Sequence, residues 1–239
     1  MQYYVVQERY TPVDISNEKL DQLLQATLTG DMDSIQELRN VTNNSEVDSE
    51  VAIKIFKFFD QYSSTGDPIA QYFLGKFNIE GYGTTKNMAE GCKLALLSAH
   101  AGFPGGSNLL GNCYENGFCL PKNDSEAFKL YFEASSKGFI GAYSNLARAY
   151  DQGIGAPPDI SKAYHWYKMA ILHGDKTGDI CTFRDLNCFA NRFPQIQHQI
   201  LHDIILSQKT LSDLQNQVSS QAKQIQNLQT QLSTYTVEI

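Results

Sequence analysis

Apolar residues return along this chain in short helical stripes, and the stripes themselves return at a fixed step. Between Ile69 and Asp175 the step is 36 residues, taken three times without a gap. Leu74, Leu110 and Leu146 fall in one register, as do Ala70, Gly106 and Ala142. Gly81, Gly117 and Gly153 form a third ladder, and Gly102, Gly138 and Gly174 a fourth. Ladders at one such period mark a stacked repeat, each unit a piece of supersecondary structure.

One unit shows how the pattern predicts its elements. From Gly106 to Asn116, the residues Leu109, Leu110, Cys113 and Tyr114 share one helical face. Gly117 closes that helix, because glycine enters the left-handed conformation at no steric cost. Pro121 keeps the loop from continuing as helix. Asn123 is an N-cap with Glu126 three residues on, a capping-box pattern that Asn87 and Glu90 repeat. In the third copy Asp159 is the cap and Lys162 replaces the glutamate. The second helix runs to about Lys137, with Ala127, Leu130, Tyr131 and Ala134 turned inward, and Phe139 packs back after Gly138. Small residues (Gly75, Gly111, Ala147, Ala163, Ala170) let backbones approach, and Tyr150, Trp166 and Tyr167 fill between layers. One hairpin cannot bury such a face alone, but stacked neighbours can.

The flanks carry weaker forms of the same signal. Ser16 to Leu28 reads as a capped amphipathic helix, with Leu20, Leu23, Leu24 and Leu28 on one face and Gly30 after it. Asp33 with Gln36 is expected to open the next helix. Subtracting the period lands on Ser34, Leu38, Phe58 and Gly66, so Ser34 to Gly66 is expected to be a degenerate first repeat. Helix pairs are therefore predicted to step from Ser34 to Gly174. Met1 to Val13 reads as a loose arm or a short extended piece. After Gly174 the ladder decays, but Ile180, Phe183, Leu186, Phe189 and Phe193 predict a closing helix that ends near Pro194. From Gln195 the chain turns rich in Gln and Ser. Heptads counted from Ile204 put Ile204, Leu211, Val218, Ile225, Leu232 and Ile239 at a, and Ser207, Leu214, Gln221, Leu228 and Tyr235 at d. That spacing predicts a coiled-coil helix about 50 Å long. The division expected is an N-terminal arm and capping helix (1–33), a solenoid (34–193) and a C-terminal coiled coil (194–239).

The repeated residues resemble the Sel1-like repeat family. The third copy carries the pattern most fully: Ala142, Leu146, Tyr150, Gly153-Ile154-Gly155, Asp159, Ala163, Trp166-Tyr167, Ala170 and Gly174. The first copy departs at Asn78 and Leu94-Ala95, and the second has Cys119 where the other copies have the second loop glycine. The resemblance implies an all-α, right-handed α/α solenoid of the tetratricopeptide-like kind, used for protein–protein interaction, without catalytic residues or cofactors. Secreted, cysteine-rich members of the family pair their cysteines within repeats.

Composition narrows the functions. A net charge of −7 argues against a nucleic-acid partner, since such binders present a basic face. No apolar run reaches the roughly 18 residues of a membrane span. The first ten residues lack the apolar core of a secretory signal, so cytoplasmic residence is expected, with export by a route that reads another signal left open. The five cysteines, Cys92, Cys113, Cys119, Cys181 and Cys188, do not share a repeat position and are expected to be free, mostly buried thiols. Cys181 and Cys188 on one helix would stand about 10 Å apart, beyond bridging distance. His198 and His202 are four apart, but the stretch lacks the glutamate of a zinc protease and a third ligand, so no metal site is expected. His100, His165 and His173 read as surface or packing residues. Gly81-Tyr82-Gly83 and Gly153-Ile154-Gly155 lack the Lys-Ser/Thr of a phosphate-binding loop.

The expected function is a non-enzymatic scaffold. Binding residues are sought where the copies differ, on an outer stripe of the first helices. These are Gln71, Ser107 and Tyr143, then Tyr72, Asn108 and Ser144, then Lys76, Asn112 and Arg148, with Glu115 and Asp151 one turn on. Reversing the charges of Lys76 and Arg148 is expected to abolish capture without unfolding. The heptad residues Ile204, Leu211, Leu214, Val218, Gln221, Ile225, Leu228 and Leu232 are expected to join two chains in parallel. The alternatives are a bacterial effector acting on host trafficking, and an enzyme or binder of cell-wall compounds like the cysteine-rich relatives.

Overall fold

The computed structural model describes residues 16–43 and 48–173, and position 220. The N-terminal arm, the closing helix, Cys181, Cys188, His198, His202 and the heptad residues lie outside the described residues. The chain divides into two compact units, Met1–Leu186 and Asn187–Ile239, and residues 16–173 lie within the first.

Every regular element among the described residues is helical, and none is a strand. In order they form α1 (Asn17–Leu28), α2 (Met32–Thr42), α3 (Ser49–Ser63), α4 (Pro68–Glu80), α5 (Met88–His100), α6 (Pro104–Asn116), α7 (Asp124–Ser136), a 3-10 turn (Ile140–Ala142), α8 (Tyr143–Gln152) and α9 (Ile160–Leu172). The all-α repeat predicted from the ladder is thus observed.

Local chemistry explains the boundaries. The first helices α4, α6 and α8 stop at Gly81, Gly117 and Gly153, which have φ of 78°, 65° and 74°. The side chains of Asn87, Asn123 and Asp159 accept from the backbone N–H of Glu90, Glu126 and Lys162, opening α5, α7 and α9. Between stop and start, Asn87, Asn123 and Asp159 donate their backbone N–H to the carbonyls of Asn78, Tyr114 and Tyr150, at 2.7, 3.0 and 2.9 Å. The same bond closes all three hairpins. Proline occupies N1 of α4 and α6, where its fixed φ suits a first turn. The third copy has Ile140 there, and a 3-10 turn precedes α8 instead.

The hairpins are α4 with α5, α6 with α7 and α8 with α9, and they stack through α5 on α6 and α7 on α8. The first helices also approach one another: α4 touches α6, and α6 touches the 3-10 turn. The second helices come less close among the described residues, so the stack bends with its first helices inside. A continuous core runs from Leu20 on α1 to Ala142 before α8. Its centre is aromatic, with Phe59 stacked on Phe73 at 4.7 Å and Tyr72 edge-on to Phe103 and Phe139 at 5.4 and 5.7 Å.

Three expectations need correction. Ser34 to Gly66 is not a hairpin repeat. Although Gly30, Gly66, Gly102 and Gly138 all take positive φ, 36 residues apart, α2 packs on α1 while α3 packs on α4. The cap of α2 is Asp31, whose carboxylate accepts from the N–H of Ser34 at 2.9 Å; Asp33 sits one residue inside the helix. The cysteines are not all free: Cys92 and Cys119 form a disulfide, and Cys113 is the free, buried one among the described residues. The loop of the second repeat lies on α5 of the first, which brings these two positions together.

The second loop glycine has a steric role. A Cβ on Gly83 would lie 2.4 Å from the carbonyl oxygen of Ala52 on α3, and one on Gly155 would lie 2.0 Å from that of Asp124 on α7. Each loop thus rests backbone to backbone on the preceding second helix. Gly155→Ala adds that collision to the strain of an alanine at φ 70°, whereas Gly102, at φ 86°, has open space around it. Gly102→Ala is expected to cost about 1 kcal/mol and Gly155→Ala about 3 kcal/mol or more. Urea unfolding of both variants checks the difference, and equal costs would contradict the loop contact.

Candidate functional site

The candidate site is the inner face formed by α4, α6 and α8. The residues sought there are less exposed than an outer stripe requires. Gln71, Tyr72, Lys76, Ser107, Asn108 and Tyr143 are buried, and Asn112, Glu115, Ser144, Arg148 and Asp151 are half-buried. The stripe lies on the inside of the bend, and side chains from neighbouring elements cover it.

At the first repeat the cover is α2. Lys76 donates from Nζ to Thr42 Oγ1 at 3.3 Å and to Asn43 Oδ1, and its ammonium stands 3.3 Å from Glu80. Burial pushes the Lys76 ammonium below its ordinary range, and Glu80 opposes that shift. One turn back on α2, the Arg39 guanidinium lies 5.0 Å over the Phe139 ring. It fills the space a side chain at Gly141 would need. The end of α2 therefore joins the first repeat to the opening of the third. Arg39, Phe103 and Phe139 were absent from the residues sought in the sequence. Phe103 and Phe139 sit one period apart, directly after the ladder glycines, which was the available signal.

Between the second and third repeats, polar residues pair with each other. Arg148 of α8 holds Glu115 of α6 with both terminal nitrogens, Nη2 to Oε2 at 2.8 Å. Tyr131 of α7 donates its hydroxyl to the same Oε2 at 2.7 Å. Asn145 donates from Nδ2 to Asn108 Oδ1 at 2.9 Å. Burial works to raise the Glu115 carboxyl, but Arg148 and Tyr131 more than offset it, and the group sits below the usual carboxylate range. Tyr131 is pushed up by burial and by the Glu115 charge. Arg148 is raised by its bonds to Glu115. Tyr143 faces its own hairpin, against Trp166 and His173 of the α9 end at 5.4 and 5.7 Å. The half-buried polar positions form a short strip on α6 and α8, with Asn112 and Glu115 on the one and Ser144, Arg148 and Asp151 on the other. Charge reversal at Lys76 and Arg148 therefore strikes the inter-element packing itself, contrary to the expectation that the fold would be untouched.

Stacked hairpins of this length, with glycine stops and polar caps in register, define an α-solenoid. Residues 68–103, 106–139 and 140–175 match the Sel1 repeat. The chain thus carries three Sel1 repeats, in a fold typical of protein-interaction scaffolds. It is similar to a Sel1 repeat protein from Oxalobacter formigenes, with 23% identity, 66% of this chain and 63% of that one covered, and a TM-score of 0.48. It is also similar to a protective antigen of uropathogenic Escherichia coli strains that displays an SLR fold, with 20% identity, 73% and 37% coverage, and a TM-score of 0.52. The chain spans less than two thirds of the length of either. No curated protein matches it. No helix among the described residues is long and apolar enough to cross a membrane.

The Glu115 network predicts a pH dependence. Its folded-state pKa is depressed, so its contribution is present above the ordinary glutamate range and is lost as pH falls through the lower folded value. Glu115→Gln is expected to cost about 2 kcal/mol at neutral pH. The deficit relative to the unaltered chain should shrink as pH drops below about 4. Denaturant midpoints at several pH values measure it, and a deficit constant with pH would show that the ion pair contributes nothing.

Proposed function

We propose that the chain is a non-enzymatic scaffold that holds a segment of a protein partner against the inner face of its second and third repeats. The supporting observation is the polar strip on α6 and α8, where Asn112, Glu115, Ser144, Arg148 and Asp151 stay half-buried while the first repeat's equivalents are buried. Gln71, Tyr72, Lys76, Ser107, Asn108 and Tyr143 then serve to shape and support that face. Donors and acceptors in a bent surface suit an extended or helical polypeptide, whose backbone and polar side chains they can pair. A photo-crosslinking residue at position 112 or 144 is expected to capture a partner from the source cell. The same residue at 97 or 132, on the second helices where Leu97 and Phe132 are exposed, should not. Capture from the second helices alone would move the site to the other face.

The proposal includes self-association through the heptads of residues 204–239. β-Branched Ile204, Val218 and Ile225 at a, with Leu214 and Leu228 at d, favour two parallel strands, and Gln221 at d fixes their register. Glutamines at e and g put no like charges face to face. Sedimentation is expected to give a dimer for the full chain and a monomer for one ending at Asp203. A full chain that is monomeric at tens of micromolar would rule out the homodimer.

A further inference from the structure

The Cys92–Cys119 bond sits where the other repeats use a different contact. Cys119 falls one period from Gly83 and Gly155, and Cys92 one period from Phe56 and Phe128. In the first and third copies the loop glycine lies on the preceding second helix. A Cβ there would stand 3.0 Å from the Cβ of Phe56 and 2.8 Å from that of Phe128. The second copy replaces both partners of this one contact together. Cys119 does not take a positive φ, since no residue other than glycine does among the described residues. Its loop is not held by the glycine approach, and the disulfide to Cys92 takes that place.

The two cysteines differ in exposure. Cys92 is buried on α5 at 5% exposure, whereas Cys119 is exposed in the loop. We propose that Cys92–Cys119 is a redox-sensitive latch between the first two repeats, opened by thiol–disulfide exchange at the sulfur of Cys119, the exposed residue of the pair. A small thiolate of the glutathione type attacks Cys119 Sγ and forms a mixed disulfide. The Cys92–Cys119 bond breaks, and its electron pair leaves on Cys92 Sγ, which takes up a proton. A second thiolate attacks the small-molecule sulfur and releases Cys119 as a thiolate, which is protonated in turn. One protein disulfide and two small thiols thus become two cysteines and one small disulfide, and the reverse closes the latch. Cys113 does not compete: it is fully buried on α6, and burial pushes its thiol up to about 11.

Opening frees the loop that directly follows α6, whose last turns carry Asn112 and Glu115. The other two loops keep their glycine contacts and do not respond. The latch does not depend on whether that face binds a partner.

Hydrogen exchange of the full chain, oxidised with glutathione disulfide and then reduced, tests the latch, with cysteine alkylation mapped by mass spectrometry. In the oxidised chain Cys92 and Cys119 should resist alkylation as a pair. Reduction should pass through an adduct on Cys119 and raise exchange over residues 117–123 about tenfold. Exchange over residues 81–87 and 153–159 should not change. Cys119→Ser should exchange fast in both states. The double variant Cys92→Phe, Cys119→Gly, which restores the contact of the neighbouring copies, should stay protected in both. The latch is overturned if the oxidised chain leaves both cysteines open to alkylation or joins either to another cysteine. It is equally overturned if reduction leaves residues 117–123 unchanged.

Discussion

Each hairpin in this stack exposes an apolar face that the next hairpin covers, and each loop seats on the helix before it, by a glycine approach in the first and third copies and by the Cys92–Cys119 bond in the second. The seat is narrow. Gly83 and Gly155 lie so close to the carbonyls of Ala52 and Asp124 that no side chain fits between. That approach holds the first and third loops, while loop-spanning bonds from Asn87, Asn123 and Asp159 close all three hairpins. Small residues on the helices follow from the same demand. Repeated close approach at one spacing also bends the stack, because the first helices touch one another and the second helices stand farther apart.

Bending has a consequence for polar residues. On the inside, side chains from successive repeats converge, and a polar group there must find a partner. Glu115, Arg148 and Tyr131 do so as one network, and Asn108 with Asn145 as a pair. At the first repeat the partner comes from outside the regular stack: α2 supplies Thr42 and Asn43 to Lys76 and places Arg39 over Phe139. A terminal repeat has no neighbour on one side. Here α1 and α2 supply the cover, and Leu20, Leu24, Ile35 and Leu38 are almost wholly buried by it.

The helices from α4 to α9 were legible in the sequence because their signals are local: apolar spacing, a glycine stop, a polar cap. The place of α2 was not. The glycines on either side of α2 and α3, Gly30 and Gly66, keep the period, but periodicity says which element forms and is silent on which neighbour it packs against. The cysteine pair was missed for a related reason. Cys92 and Cys119 are not equivalent to each other, and comparing cysteine with cysteine hides them. Comparing each with the residues in its own register, phenylalanine for one and glycine for the other, places them on two sides of a contact. The eleven residues sought on the inner stripe were chosen because they differ between copies. Variation, however, has two sources at a curved face.

One source is contact with something outside the chain, where each position is free to follow its ligand. The other is matching between repeats, where a change in one copy is answered in the next. Glu115 is answered by Arg148; the register equivalents of Arg148, Lys76 and Asn112, face different partners and have different chemistry. Lys76 answers Asn43 and Glu80, and the Asn112 amide is paired along its own helix with Asn116 at 3.2 Å. Matched variation fixes the order of the repeats, since the second hairpin cannot take the third's place without leaving the Arg148 charge unanswered. Such a seam costs little generality in the fold, because the glycine and alanine ladders are untouched by it.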